Sequence, residues 1–278
     1  MAELPEVETI RRGLDREVAG KRIKTVEVHG TRSIRRHKNK KEFVTRLEGT
    51  KISAVGRTGK YLVFRLDSGD RLVAHLRMSG QLLKTQAKDP VQKHTHVVLT
   101  FTQGGQLRYV DPRTFGELFV GSPDALAEHL PELTELGFDP VDEPMSWVTF
   151  GELLLGRRQK LKTVLLDQSF IAGLGNIYAN EILFHAGLRY DRTSESLSSM
   201  EIRRLYRALV GVMHEAVKHR GSTLSDGQYV DIYGRPGNYQ SEHQVYDREG
   251  EACRRCRAPI ARVKFQQRST FFCPHCQV

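Results

Sequence analysis

Cysteine is missing from the first 252 residues of this 278-residue chain, and no apolar run approaches the ~20 residues that cross a bilayer. No secretory signal pattern opens the sequence, which argues against an oxidising compartment and against disulfides; the expected location is the cytoplasm. Acid is also in short supply. There are 33 Asp and Glu against 43 Lys and Arg, a formal net charge of +10, and such a surplus serves a polyanion, nucleic acid first. With 39% hydrophobic residues the chain is long enough for two domains with real cores.

The positive charge is clustered. "GTRSIRRHKNKKEFVTR" carries seven Lys or Arg against Glu42, and the last 28 residues carry six against Glu251. Charge runs are commonly solvated faces, but two of them, near opposite ends of a chain, suggest two grips on one backbone.

All four cysteines lie in "CRRCRAPIARVKFQQRSTFFCPHC", spaced C-x2-C-x16-C-x2-C. Each pair offers two thiolates from a tight turn, and two turns complete a closed tetrahedral site for one Zn²⁺ on Cys253, Cys256, Cys273 and Cys276. Four protein thiolates leave no open position, so the expected metal is structural and holds a module that could not fold unaided. Between the pairs, "ARVKFQQRSTFF" reads as two short strands joined by a turn, with Arg268 near the turn.

From about residue 22 to 120 the apolar pattern has period two or short runs, with hairpin signals at 67–70 and 103–105, which predicts a β-sandwich with the first helix packed on it. From about 122 to 220 the period becomes helical. "RRQKLKTVLLDQ" reads as a short helical segment, Asn176 begins a helix after Gly173 and Gly175, and Ser198 with Glu201 forms a capping box for a long amphipathic helix ending near Gly221. The "AGLGN" turn at a helix start is a plausible phosphate seat or a simple connector. Residues 222–243, rich in Gly, Ser, Asp and Tyr, read as a long mobile loop, a lid over a bound group or simple disorder.

The opening "MAELPEVETI" supports two readings. Pro5, Glu6, Glu8 and the stripe Leu4, Val7, Ile10, Leu14, Val18 suit a plain helix. With Met1 removed, as a small second residue favours, the Ala2 amine also becomes a nucleophile beside the Glu3 carboxylate, because a terminal amine titrates near pH ~8.

Taken in order, "ELPEVET", "GKYL", "HLRMSG", "DPRTFG", "LLDQSFIAGLGNIYANEILF" and the four-cysteine module resemble formamidopyrimidine-DNA glycosylases over nearly the whole chain. The resemblance implies an α+β architecture: an N-terminal β-sandwich (1–121), a helix-two-turn-helix domain (122–221), a lesion-recognition loop (222–243) and a zinc finger (244–278). It implies excision of oxidised purines from double-stranded DNA followed by backbone cleavage, by a monomer with no membrane role. Carried over by position, the Ala2 amine attacks C1′ and forms a Schiff base, Glu3 donates the proton that opens the sugar, Lys60 assists β-elimination from a strand, and Arg268 assists δ-elimination. His94, Arg113, Arg157 and Asn176 match DNA-contacting positions. Met78, Arg113 and Phe115 match side chains that fill the void left by an extruded base, although Met78 and Phe115 by themselves also read as sandwich core.

One departure stands out. The family pattern has proline at position 2 and this chain has Ala2. A primary amine gives an imine that can lose its proton, a weaker electron sink than the permanently cationic imine of proline, and alanine lacks the ring that fixes φ. Two further readings therefore stand beside the enzyme: a lesion-binding protein impaired at residue 2, and a relative of the endonuclease VIII branch that takes oxidised pyrimidines.

Overall fold

A computed structural model describes residues 2–143 and 145–278; Met1, whose removal the nucleophile reading requires, lies outside the described residues. The chain divides into two compact units, Met1–Glu135 with His219–Asn238, and Leu136–Lys218 with Tyr239–Val278. No helix among the described residues is long and apolar enough to cross a membrane.

In the first unit the opening stripe becomes α1 (Leu4–Val18), with Leu4, Val7, Ile10, Leu14 and Val18 all buried. The period-two stretches become β1 (Ile23–Val28), β2 (Ile52–Thr58), β3 (Tyr61–Leu66), β4 (Arg71–His75), β5 (Gln81–Thr85), β6 (Thr95–Phe101), β7 (Gln106–Val110) and β8 (Glu117–Gly121). They form two four-stranded antiparallel sheets, ordered β1-β6-β7-β5 and β2-β3-β4-β8. Alternating residues of both sheets, among them Val26, Leu99 and Leu107 from one and Phe64, Leu72 and Leu118 from the other, share one core with α1, as expected of a sandwich.

Two short helices interrupt the β pattern, α2 (Lys40–Leu47) and α3 (Pro123–His129). The first lies inside the basic run. Asn39 Oδ1 accepts from the Glu42 amide at 3.0 Å, Glu42 accepts from the Lys38 amide at 3.0 Å, and Phe43 and Leu47, four apart, anchor the helix in the core.

Most of the 222–243 stretch, whose composition reads as mobile, is tied to this unit within the segment 219–238. Tyr229 and Ile232 are buried in the sandwich core, the Lys84 amide donates to the Ile232 carbonyl at 2.9 Å, and Tyr233 donates to Glu17 at 2.6 Å. Its start is fixed by Glu6, only 1% exposed, whose carboxylate takes the Glu3 amide and the Ser222 amide, each at 2.8 Å.

The second unit holds α4 (Trp147–Leu155), α5 (Leu161–Leu166), α6 (Asn176–Ala186), α7 (Ser199–Lys218) and the antiparallel hairpin β9 (Ala261–Phe265) and β10 (Arg268–Phe272). The helical segment expected from residue 157 begins only at Leu161, because Lys160 is extended and bridges Thr193. The capping box stands as read: the Ser198 amide donates to Glu201 at 2.8 Å and the Glu201 amide to the Ser198 hydroxyl at 3.4 Å. Glu181 on α6, fully buried, accepts from the amides of Gln244, Val245 and Tyr246 and so fixes the approach to the hairpin.

Gly221 sits at φ +73°, and a Cβ there would lie 2.5 Å from Glu6 Oε1, the atom that accepts from Ser222. Gly221→Ala should cost about 2–4 kcal/mol, from left-handed backbone strain and a disrupted buried hydrogen bond, read as a lower urea midpoint at unchanged slope. A loss under about 0.5 kcal/mol would show that Glu6 relaxes freely.

Candidate active site and metal centre

The N-terminus is built into the sandwich. Glu3 caps α1 and is buried, Ala2 is buried beside it, and the Ala2 nitrogen donates to the Arg77 carbonyl at 3.2 Å. Arg77 directly precedes Met78, so the candidate nucleophile is tethered to the loop that carries a candidate void-filling side chain.

That loop is in turn fastened to the one that carries Arg113 and Phe115, and the fastener is Asp111, a residue that sequence reasoning missed. Asp111 is fully buried. Its Oδ1 accepts from the Ser79 hydroxyl at 2.5 Å and the Arg113 amide at 3.2 Å; its Oδ2 accepts from the Gly116 amide at 2.8 Å and the Tyr109 hydroxyl at 3.1 Å. Gly116 is required there, since a Cβ would meet the Tyr109 hydroxyl at 2.0 Å. The readable signal was the Asp-Pro-x-x-x-Gly turn with small Ser79 nearby, but a turn aspartate usually bonds only its own backbone.

The core alternative for Met78 and Phe115 is corrected: they are 41% and 43% exposed, in a sandwich whose other large apolar side chains are mostly buried. The Arg113 guanidinium lies 4.9 Å from the Phe115 ring centre, so cation and ring are presented as a pair. His94 is exposed at φ +65°, and its carbonyl accepts from the Asp111 amide at 3.0 Å, which places it on the same loop system.

Lys60 is not on a strand. It is the second residue of the two-residue turn between β2 and β3, with Gly59 at φ +56° and Thr58 paired to Tyr61. The fully buried Arg57 side chain fixes this turn, donating to the Gly59 carbonyl and to Glu8 of α1, both at 3.1 Å. Burial by itself would raise the Glu8 carboxyl; hydrogen bonds from Arg11 and Arg12, with the charges of Arg11 and Arg57, outweigh it and hold it below its ordinary range. Burial also pushes His75 down to about 3, helped by the charges of Arg77 and Lys60, so its ring is neutral and its Nδ1 accepts from the Arg77 amide at 3.0 Å.

In the second unit, Arg157 is engaged within the protein: its guanidinium bonds Asp167 at 2.7 Å and lies 5.2 Å from the Phe170 ring centre. Asn176, the first residue of α6, donates through Nδ2 to the Ser269 carbonyl at 3.0 Å, while its Oδ1 is buried without a partner. The fully buried Lys162 bonds the Thr270 hydroxyl at 2.6 Å and the Ser269 carbonyl at 3.2 Å, and the Phe271 amide donates to Asn180 at 3.0 Å, so the α6 start and the hairpin are locked together. Arg268 follows the turn residues Gln266 and Gln267, both at positive φ, and is exposed.

The four cysteine sulfurs all lie within 4.8 Å of one another, with Cys256–Cys273 at 3.4 Å and Cys253–Cys276 at 3.9 Å. A tetrahedron with Zn–S near ~2.3 Å needs sulfurs ~3.8 Å apart, so the cage fits one Zn²⁺ and leaves no open coordination position. Cys253 and Cys273 also belong to a small apolar cluster with Phe184, Val245, Ile260 and Phe271.

A sandwich with the buried Ala2 tied to exposed Met78 and Phe115 loops, a helical unit, and a basic hairpin beside a four-cysteine cage that fits zinc define a zinc-finger protein of the nucleic-acid-binding class. The chain belongs to the formamidopyrimidine-DNA glycosylase family. Family models match at residues 1–118 (formamidopyrimidine-DNA glycosylase N-terminal domain), 136–228 (formamidopyrimidine-DNA glycosylase H2TH domain) and 250–278 (zinc finger found in FPG and IleRS). The formamidopyrimidine-DNA glycosylase of Pelotomaculum thermopropionicum is 43% identical over 277 residues, covering 100% of this chain and 99% of that protein. That of Geobacillus kaustophilus is 42% identical, covering 100% of both. Among solved structures, the Lactococcus lactis Fpg complex with abasic-site DNA matches at TM-score 0.90 with 34% identity, and the MutM (FPG) protein of Thermus thermophilus at 0.88 with 41%. The first match covers 99% of each chain, the second 99% of this chain and 98% of the other.

Freshly purified protein should carry close to one equivalent of zinc. Cys273→Ser, which removes a buried ligand, should drop the content below half an equivalent and weaken DNA binding; an unchanged metal content would rule out this four-sulfur site.

Proposed function

We propose that this chain is a base-excision repair enzyme, a DNA glycosylase for oxidised purines with associated lyase activity, working through the Ala2 amine. The observation that carries the reading is the continuous chain of bonds from the Ala2 nitrogen through the Arg77 carbonyl, past Met78 to the Ser79 hydroxyl, and through Asp111 to the Arg113–Phe115 loop. It couples the atom that would attack C1′ to the side chains that would fill the vacated stack.

In this reading the neutral amine attacks C1′ of the damaged nucleotide, the base departs, and Glu3 supplies the proton that opens the sugar. The Schiff base then acts as electron sink for β- and δ-elimination, with Lys60 and Arg268 assisting. His94, Arg157 and Asn176 hold backbone phosphates; for Arg157 this requires exchange of Asp167 for a phosphate oxygen. The working divisions are 1–121, 122–221, 222–243 and 244–278, and the protein acts as a cytoplasmic monomer on duplex DNA bearing oxidised bases or abasic sites. Zinc, when bound, supplies rigidity to the hairpin and takes no part in the chemistry.

Emptying a stacked position costs a few kcal/mol, which only base excision from duplex must meet. Phe115→Ala should therefore slow single-turnover excision of 8-oxoguanine about tenfold or more, and cleavage of a preformed abasic site less than about threefold. Equal slowing of both would remove the wedge role.

Ala2 favours a second reading, a lesion-binding protein with weak catalysis. Borohydride trapping on an abasic duplex separates the two: the enzyme forms a covalent adduct, more slowly than its Ala2→Pro variant, whereas a pure binding protein retains affinity and forms none. If Ala2→Pro changes neither trapping nor cleavage while mass spectrometry shows Met1 absent, the terminal amine is not the nucleophile.

A further inference from the structure

The wedge, terminus and hairpin leave the basic run around α2 without a task. A cavity of about 530 Å³ opens at the start of this helix, with Arg32, Arg35, His37, Lys38 and Lys40 in its lining. Arg35 and Arg36 are committed to Glu117, at 2.9 and 3.0 Å. Arg32, Lys38, Lys40 and Lys41 have no ion-pair partner among the described residues, and only Glu42 opposes them locally.

A buried donor points the same way. The His37 side chain is 1% exposed, stacked on Phe119 with ring centres 4.8 Å apart and edge-on to Phe43. Its Nε2 accepts from the Val120 amide of β8 at 3.2 Å, so in the neutral ring the proton resides on Nδ1. Burial is the main cause that lowers its pKa and keeps the ring neutral. The Nδ1–H faces away from β8 toward the first turn of α2, where the Glu42 carboxylate approaches to 3.8 Å, and among the described residues it has no acceptor within hydrogen-bond distance. A buried donor left unmatched is unfavourable, and an arriving anion would match it. The opening turn of α2 adds the outward Lys40 and Lys41 amides, the Glu42 amide being held by Asn39, and the positive end of the helix dipole.

We propose that the start of α2 is a second phosphate-binding site, formed by His37 Nδ1–H, the first-turn amides and the Arg32, Lys38 and Lys40 side chains, which takes a backbone phosphate of the duplex outside the lesion. The DNA source rests on the repair reading above; the anion chemistry does not. A phosphate oxygen accepts from His37 and the first-turn amides together, and the lysines neutralise its charge without being buried.

Nuclear magnetic resonance titration with inorganic phosphate tests the site independently of activity. Phosphate should shift the Lys40 and Lys41 amides and the His37 Nδ1 resonance at millimolar concentration, with chloride at equal ionic strength inert. In Lys38→Ala/Lys40→Ala, whose side chains are exposed and whose folding is checked by unperturbed core resonances, the shifts should weaken. The salt slope for binding an abasic duplex with long flanks should fall by about one to two, with affinity down about fivefold at low salt. Cleavage at saturating protein should be unchanged. Phosphate shifts with an unaltered DNA slope would assign the site to a free anion and overturn the duplex assignment. No phosphate shift would overturn the site altogether, whatever the protein's glycosylase activity.

Discussion

A buried carboxylate holds the working face of the first unit together. Taking the Asp111 charge out of water costs several kcal/mol unless its lone pairs are filled, and four donors fill them, Ser79 from one stretch of chain and Tyr109 with the Arg113 and Gly116 amides from the stretch around Asp111 itself. The cost enforces the geometry. Any movement of the 76–80 loop relative to the 111–116 loop leaves part of a buried charge unmatched, so Met78, Arg113 and Phe115, all exposed, are held at the surface as one unit. The same loop system carries the Arg77 carbonyl that holds residue 2, which couples the Ala2 nitrogen to the loops of Met78, Arg113 and Phe115 through hydrogen bonds.

The second unit uses a buried amine for the same purpose. Lys162 of α5 is buried with its Nζ donating to the Ser269 carbonyl and the Thr270 hydroxyl, and Asn176 and Asn180 complete the tie between α6 and the hairpin. A two-stranded hairpin alone is marginal in water. Here four sulfurs at one end and the buried Lys162 side chain bonded to Ser269 and Thr270 of β10 leave the turn at Gln266–Gln267 exposed, with Arg268 following it. Both units thus present their candidate side chains on loops or turns whose bases are fixed by satisfied buried polar groups, the arrangement that lets exposed groups be precise.

The fold is legible where periodicity is long and uniform. The stripe of α1, the alternation in β2 through β8, the Ser198–Glu201 capping box and the cysteine spacing each encode their element locally, and each appears. The departures share one cause: a local pattern is overruled by a distant partner. Asn39-x-x-Glu42 is a legible cap, but the surrounding cations obscure α2, whose anchors Phe43 and Leu47 find their core elsewhere in the chain. The 219–238 segment looks free because its fastenings, Tyr229, Ile232 and the Glu6–Ser222 bond, are isolated residues without a period. The alternation in "GKYLVF" extends a strand over Lys60, and only the pairing of Thr58 with Tyr61 puts it in the turn. For the site, residue types are readable while their supports are not: neither Asp111 nor Arg57 has a signature that distinguishes a buried hub from an ordinary polar residue.

Alanine at position 2 can be weighed against this framework. Proline would bring two properties to a nucleophilic terminus, a fixed φ and a permanently cationic imine. The first is largely supplied here by the surroundings: Ala2 is buried, its nitrogen is held on the Arg77 carbonyl, and the next residue is fastened by Glu6, which Ser222 and the left-handed Gly221 keep in place. Position is therefore imposed by the fold and does not depend on a pyrrolidine ring. What the fold cannot supply is the second property. A primary-amine imine loses its proton to any nearby base, and only the protonated form draws electrons from the sugar during elimination. On the reading proposed above, the deficit at Ala2 falls on the lifetime of the cationic intermediate, later in the reaction than the base recognition and extrusion which that reading assigns to Met78, Arg113 and Phe115.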